Sequence, residues 1–134
     1  IYGQIYFWSI IGAEHPSIIM NISPTEMKQL PKKTFNDFRG MTNRFNKISH
    51  TLSSIYPKLN EINIGVVLEE FGALNKEFLK LLDEFGNNPN YLPENIKNKL
   101  PKLFFNILEH IINEHKYVEV LCNKIIKSQY GKDN

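Results

Sequence analysis

The chain reads as an all-α protein, an antiparallel up-down-up-down four-helix bundle. Three observations predict this. Apolar residues recur every three or four positions over four long stretches, proline, glycine and asparagine punctuate the gaps, and no segment alternates with the two-residue period of a half-buried strand. At 134 residues the whole of 1–134 suits a single domain, large enough to bury a core without disulfide or metal staples. With 42% hydrophobic and 22% charged residues and no repeat-like stretch, the chain can fill that core and still present a solvated surface.

The first long helix is expected from about Gln4 to about Met20, with Ile5, Trp8, Ile11, His15 and Ile18 on one face. Pro16 removes a backbone donor and crowds the Gly12 carbonyl, so a kink, or an end near His15, is expected there. Ser23, Pro24 and Glu26 combine a capping hydroxyl, a proline at the first helical position and a glutamate at the third, which predicts a short turn of helix. The second long helix resumes after Pro31 and carries Phe35, Phe38, Met41, Phe45, Ile48 and Leu52 inward until Tyr56-Pro57 stops it. The third starts near Asn63 and buries Val67, Leu68, Phe71, Leu74, Phe78, Leu81, Leu82 and Phe85, with Gly86 reading as its C-terminal cap. An Asn/Pro-rich connection follows, with room for one helical turn after Pro93. Pro101 opens the fourth long helix, whose seam reads Phe104, Ile107, His110, Ile111, Glu114, Val118, Leu121 and Ile125 before Gly131 closes it.

Charge and cysteine content narrow the functional classes. Net charge is +2 and Arg39 and Arg44 are the only arginines, which argues against a nucleic-acid partner, since such surfaces are densely basic and use arginine for bidentate contacts. The lone Cys122 excludes an internal disulfide and fits a reducing compartment, so the cytoplasm is expected. The apolar opening from Ile5 to Ala13 lacks a basic region before it and reads as core helix, and no stretch approaches the roughly 20 apolar residues of a membrane span. The chain starts at Ile1 without a methionine, so residues before it are expected in the parent protein. No glycine-rich phosphate loop, paired-cysteine motif or nucleophile elbow is present.

The residues that stand out are two acidic-imidazole pairs. His110 and Glu114 are four apart on the fourth long helix and project toward the same side, on the predicted apolar seam. Glu14 and His15 interrupt the apolar face of the first helix. Adjacent residues differ by about 100° around a helix, so these two aim at one point only if the backbone is distorted, for which Pro16 offers a reason. A buried carboxylate and imidazole are costly unless paired or coordinated, and a metal ion held between facing helices satisfies both. Imidazole with carboxylate suits iron, manganese or zinc, with iron or zinc first. The bland alternative is an ordinary surface or half-buried pair, the chain then acting as a structural or self-assembly module without a functional metal. His115 is a candidate further ligand, but one step off the seam it is expected on a solvated flank. Glu109 is either a partner orienting an imidazole or exposed. Glu69 and Glu70 are expected in solvent, His50 is treated as structural, and Cys122 as a small buried hydrophobe.

The run Phe7-Trp8-Ser9-Ile10-Ile11-Gly12-Ala13-Glu14-His15, then Phe35, Phe38 and Phe45, then Ile107-Leu108-Glu109-His110 with Glu114 and Tyr117, resembles the DUF2935 family. These are uncharacterised ferritin-like or hemerythrin-like helical bundles, largely of spore-forming Firmicutes. The resemblance implies a four-helix unit holding a metal between its first and last helices, and carries the ligand role onto Glu14, His15, His110 and Glu114. Members often contain two tandem copies, so a homodimer is implied for a chain with room for one. Pro16 departs from the pattern. Four histidines are too few for the five-histidine hemerythrin site.

Overall fold

The computed structural model describes residues 2–55 and 61–130. All regular structure among them is helical: α1 (Tyr2–Ile22), α2 (Pro24–Met27), α3 (Lys32–Ile55), α4 (Glu61–Asn87), α5 (Glu94–Lys97), α6 (Lys102–Ile125) and a closing π-helical turn, Ile126–Tyr130. The four long helices α1, α3, α4 and α6 are those the periodicity predicts. The expected stops at Tyr56-Pro57 and Gly131 lie outside the described residues. No described helix is long and apolar enough to cross a membrane.

Aromatic and small side chains set how these helices meet. On α1 the buried residues are Ile5, Ser9, Gly12, Ala13, His15, Pro16 and Ile19. Ser9, Gly12 and Ala13 are small enough to let α3 come close, and a Cβ added at Gly12 would stand 2.8 Å from the Phe45 ring. The phenol of Tyr2 donates to the Leu52 carbonyl at 3.0 Å and the Thr42 hydroxyl to the Ala13 carbonyl at 3.1 Å, so α1 and α3 run in opposite directions. Between α3 and α4, Phe38 packs on Phe85, Phe45 on Phe71 and Phe78, and Arg44 clasps Glu77 through two bonds of 2.8 and 2.7 Å. Between α4 and α6, Phe85 meets Phe104 and Asn75 meets His115. Phe45, Phe78 and Phe85 are fully buried and occupy the middle of the core. Replacing any one with alanine would cost about 3–5 kcal/mol.

Local expectations change at four points. The first helix does not end at His15: α1 continues through a buried Pro16 to Ile22. The Thr42 hydroxyl gives the Ala13 carbonyl a partner beside the carbonyl that Pro16 leaves without its usual N–H. The inward face of α1 is also rotated, since Ile19 is buried and Ile18 exposed, because the small residues rather than the large ones face α3. At α2, Pro24 takes the first helical position as expected, but the Ser23 hydroxyl makes no capping bond; the Ser23 carbonyl instead accepts from Met27 N–H at 2.9 Å. Gly86 stays inside α4, and its carbonyl is capped by Lys97 Nζ at 2.9 Å from α5.

The α1–α3 and α4–α6 connections close one end of the core. Met27, Leu30, Tyr91, Leu92, Ile96 and Leu100 are all buried there. The Thr34 hydroxyl donates to the Tyr91 carbonyl at 2.7 Å and the Tyr91 phenol to Asp37 at 2.9 Å.

Candidate metal centre

The α6 seam is Phe104, Leu108, Ile111, His115, Val118 and Cys122, stepping four, three, four, three, four. It is one position round from the seam expected from the sequence. His115, expected in solvent, is therefore fully buried, whereas the His110 side chain is 72% exposed and Glu114 about one-third exposed. This corrects the inward placement of His110 and Glu114. The reason is geometric: both stripes are apolar enough to serve, and the one that interlocks with the phenylalanines of α3 and α4 becomes the core.

His115 lies edge-on to Phe78, with ring centroids 4.7 Å apart, and beside Phe45. This apolar box strips water from the imidazole and pushes its pKa down to about 3, with neighbouring His15 adding to the same effect. Its Nδ1 is 2.7 Å from Asn75 Oδ1, and Asn75 Nδ2 donates to the His115 carbonyl at 2.9 Å. Its Nε2 is 2.7 Å from His15 Nδ1. His15 in turn places Nε2 3.3 Å from Glu114 Oε1, and the second carboxylate oxygen of Glu114 lies 3.5 Å from His110 Nε2. A polar chain thus runs from the core to the surface: Asn75, His115, His15, Glu114, His110. No buried side-chain nitrogen or oxygen among the described residues lacks a partner.

Burial lowers the His15 pKa, against the opposing pull of the Glu114 and Glu14 carboxylates, while His110 lowers it further. Glu14 is thus close enough to act on His15, yet it faces solvent. Glu14 is exposed and His15 buried, as the roughly 100° between helical neighbours leads one to expect, so the two do not aim at one point. Of the four residues singled out from the sequence, His15, Glu114 and His110 come together and Glu14 stands on the rim. Among the described residues no group of three or more His, Cys, Asp or Glu side chains is already posed to hold a metal ion. The donor chemistry nevertheless fits one: two imidazoles flank a single carboxylate, and ligand atoms around a tetrahedral ion bound at about 2.0–2.1 Å stand roughly 3.4 Å from one another.

Asn75 was not singled out from the sequence, and His115 was expected in solvent rather than in the core. Asn75 falls on the Phe71, Leu74, Phe78 stripe of α4, and a polar residue there carries the same message as His15 on α1. Glu109, Glu69, Glu70 and His50 are exposed. Cys122 is buried, and burial together with the Glu119 charge pushes its thiol up to about 11, which makes it unreactive.

No family model matches the chain, and no curated protein or solved structure is significantly similar to it.

Proposed function

We propose that the four long helices form an up-down-up-down bundle that binds one transition metal ion between the first and last of them, at His15 Nε2, the Glu114 carboxylate and His110 Nε2. Glu14 supplies a further carboxylate from the rim. The observation that carries this reading is the approach of His15, from a different helix, to the Glu114 carboxylate that its own helix already sets beside His110. His110 and Glu114 are one turn apart on α6, whereas His15 comes from α1. The exposed His110 and partly exposed Glu114 side chains leave an ion a path inward and can adjust their rotamers on its arrival. Nitrogen and carboxylate donors without sulfur favour iron first, with zinc and manganese as the other candidates. Storage, sensing or redox work at such an ion all suit a single accessible site. The buried thiol of Cys122 suits a reducing compartment such as the cytoplasm.

Elemental analysis of untagged protein purified without added metal tests the reading. Near-stoichiometric iron, zinc or manganese is expected, and His110→Ala with Glu114→Ala should remove it. Folded protein that carries no metal and takes up none on dialysis against these ions would overturn it.

One observation favours a second reading, a self-associating module. Glu14 is the only Asp, Glu, Lys or Arg in α1, whose outer residues Phe7, Ile10 and Ile18 are exposed, as are Tyr117 and Val120 of α6. A helix apolar on its outer face is normally covered. A homodimer through this face would cover it. Sedimentation should then show a dimer that Ile18→Lys converts to monomer.

A further inference from the structure

With both imidazoles neutral, the hydrogen-bond chain behind the site has one consistent arrangement of protons. Asn75 is the fixed point. Its Nδ2 lies 2.9 Å from the His115 carbonyl oxygen, which can only accept, so the amide nitrogen must face that carbonyl and the amide oxygen must face His115. An amide oxygen can only accept, so His115 Nδ1, at 2.7 Å from it, carries a hydrogen. In its neutral form His115 then has a bare Nε2. That nitrogen is 2.7 Å from His15 Nδ1, which must therefore be the donor. With one hydrogen fixed on Nδ1, a neutral His15 has its remaining lone pair on Nε2, aimed at the Glu114 carboxylate 3.3 Å away. Two acceptors face each other across that gap, and only a proton or a metal ion between them resolves the contact.

We infer that Asn75 and His115 are positioning residues that lock His15 as the Nδ1–H tautomer and so present Nε2 as its ligand atom. The consequence for metal rests on the proposed function; the tautomer assignment rests on the hydrogen-bond chain alone. Metal-bound histidines commonly donate their second ring N–H to a carboxylate or a carbonyl, which fixes the ring and raises its basicity. Here the acceptor is a neutral imidazole, itself anchored by a neutral amide. The chain orients His15 without adding a charge, so the ionic part of the site is left to Glu114 and Glu14. Removing the acceptor frees His15 to place its hydrogen on either nitrogen and to rotate.

Long-range proton-nitrogen NMR of histidine-labelled wild-type protein in chelator reads both tautomers directly. His15 and His115 should each show a protonated Nδ1, and His115 an unprotonated Nε2. A bare Nδ1 on either ring would overturn the inference. Zinc affinity, measured by competition with a chromophoric chelator, supplies the second readout. His115→Leu should weaken zinc binding about 10-fold or more. His115→Gln, whose amide can still accept from His15 Nδ1, should stay within a few-fold of wild type. Equal affinity for His115→Leu and wild type, with both folded by circular dichroism, would also overturn the inference. If the tautomers are as assigned but wild type and His15→Ala bind zinc equally poorly, the metal reading fails and the positioning chain stands.

Discussion

Acid should begin to destabilise this protein through His115 before most carboxylates are protonated. The imidazole is fully buried between Phe45 and Phe78, and its pKa is pushed from 6.5 down to about 3. Once the chain unfolds the ring regains its ordinary affinity for a proton. Between those two values the unfolded state binds a proton that the folded state refuses, so stability rises with pH in this window and is lost as pH falls. His115 contributes its full share above about pH 6.5, and each unit below that costs about 1.4 kcal/mol. At about pH 4.5 the loss reaches roughly 3 kcal/mol and near pH 3 roughly 5 kcal/mol, comparable with the whole stability of many domains. His15, whose pKa is also lowered by burial, adds loss of the same sign. The assay is urea unfolding followed by helical circular dichroism in the presence of chelator, repeated from pH 7.5 down to about 4.5, with the His115 ring resonances titrated in parallel by NMR. In His115→Leu the slope of stability against pH over this window should fall by about one proton. An His115 ring that titrates above about pH 6, or a stability flat from 7.5 to 4.5, would refute the reasoning.

Other outcomes test the packing. Gly12→Ala should destabilise by about 1–3 kcal/mol, because the new methyl meets the fully buried Phe45 ring, whereas Gly40→Ala, whose added methyl meets open space, should stabilise by roughly 0.5–1 kcal/mol; parallel urea curves decide both signs. Asn75→Leu leaves the buried His115 Nδ1–H without an acceptor and should cost about 1–3 kcal/mol. A double-mutant cycle with His115→Leu should return a coupling of at least about 0.5 kcal/mol, since the two side chains act as one unit. Arg44→Ala should lower stability by no more than about 1 kcal/mol, because both it and Glu77 are half exposed and solvent screens the pair; a larger change in denaturation midpoint would mark the clasp as more than a surface ion pair.

The inward residues of the second and third long helices were largely legible: every predicted α4 position from Val67 to Phe85 is buried, as are Phe38, Phe45, Ile48 and Leu52 on α3, while Phe35 and Met41 are partly buried. Those helices alternate apolar and charged faces cleanly. The first and fourth were harder. In α1 the outer face is nearly as apolar as the inner one, so periodicity cannot distinguish Ile18 from Ile19, and close approach to α3 favours Ser9, Gly12 and Ala13, which carry little hydrophobic signal. In α6 two stripes compete, and they differ over whether His110 and Glu114 or His115 turns inward.

The sequence by itself determined that the chain is helical, where its long helices lie, and that acidic and imidazole groups on the first and last of them stand out from their surroundings. These follow from local chemistry, in the recurrence of apolar residues and the breaks made by proline, glycine and asparagine. Only the tertiary structure decided which imidazole is sealed in the core and which stays at the surface. That choice turns on how Phe45 and Phe78 interlock with α6, and a rotation of one residue about a helix axis, about 100°, exchanges a buried histidine for an exposed one. It also brought Asn75 to the back of His115, a pairing across 40 positions of sequence that no periodicity encodes.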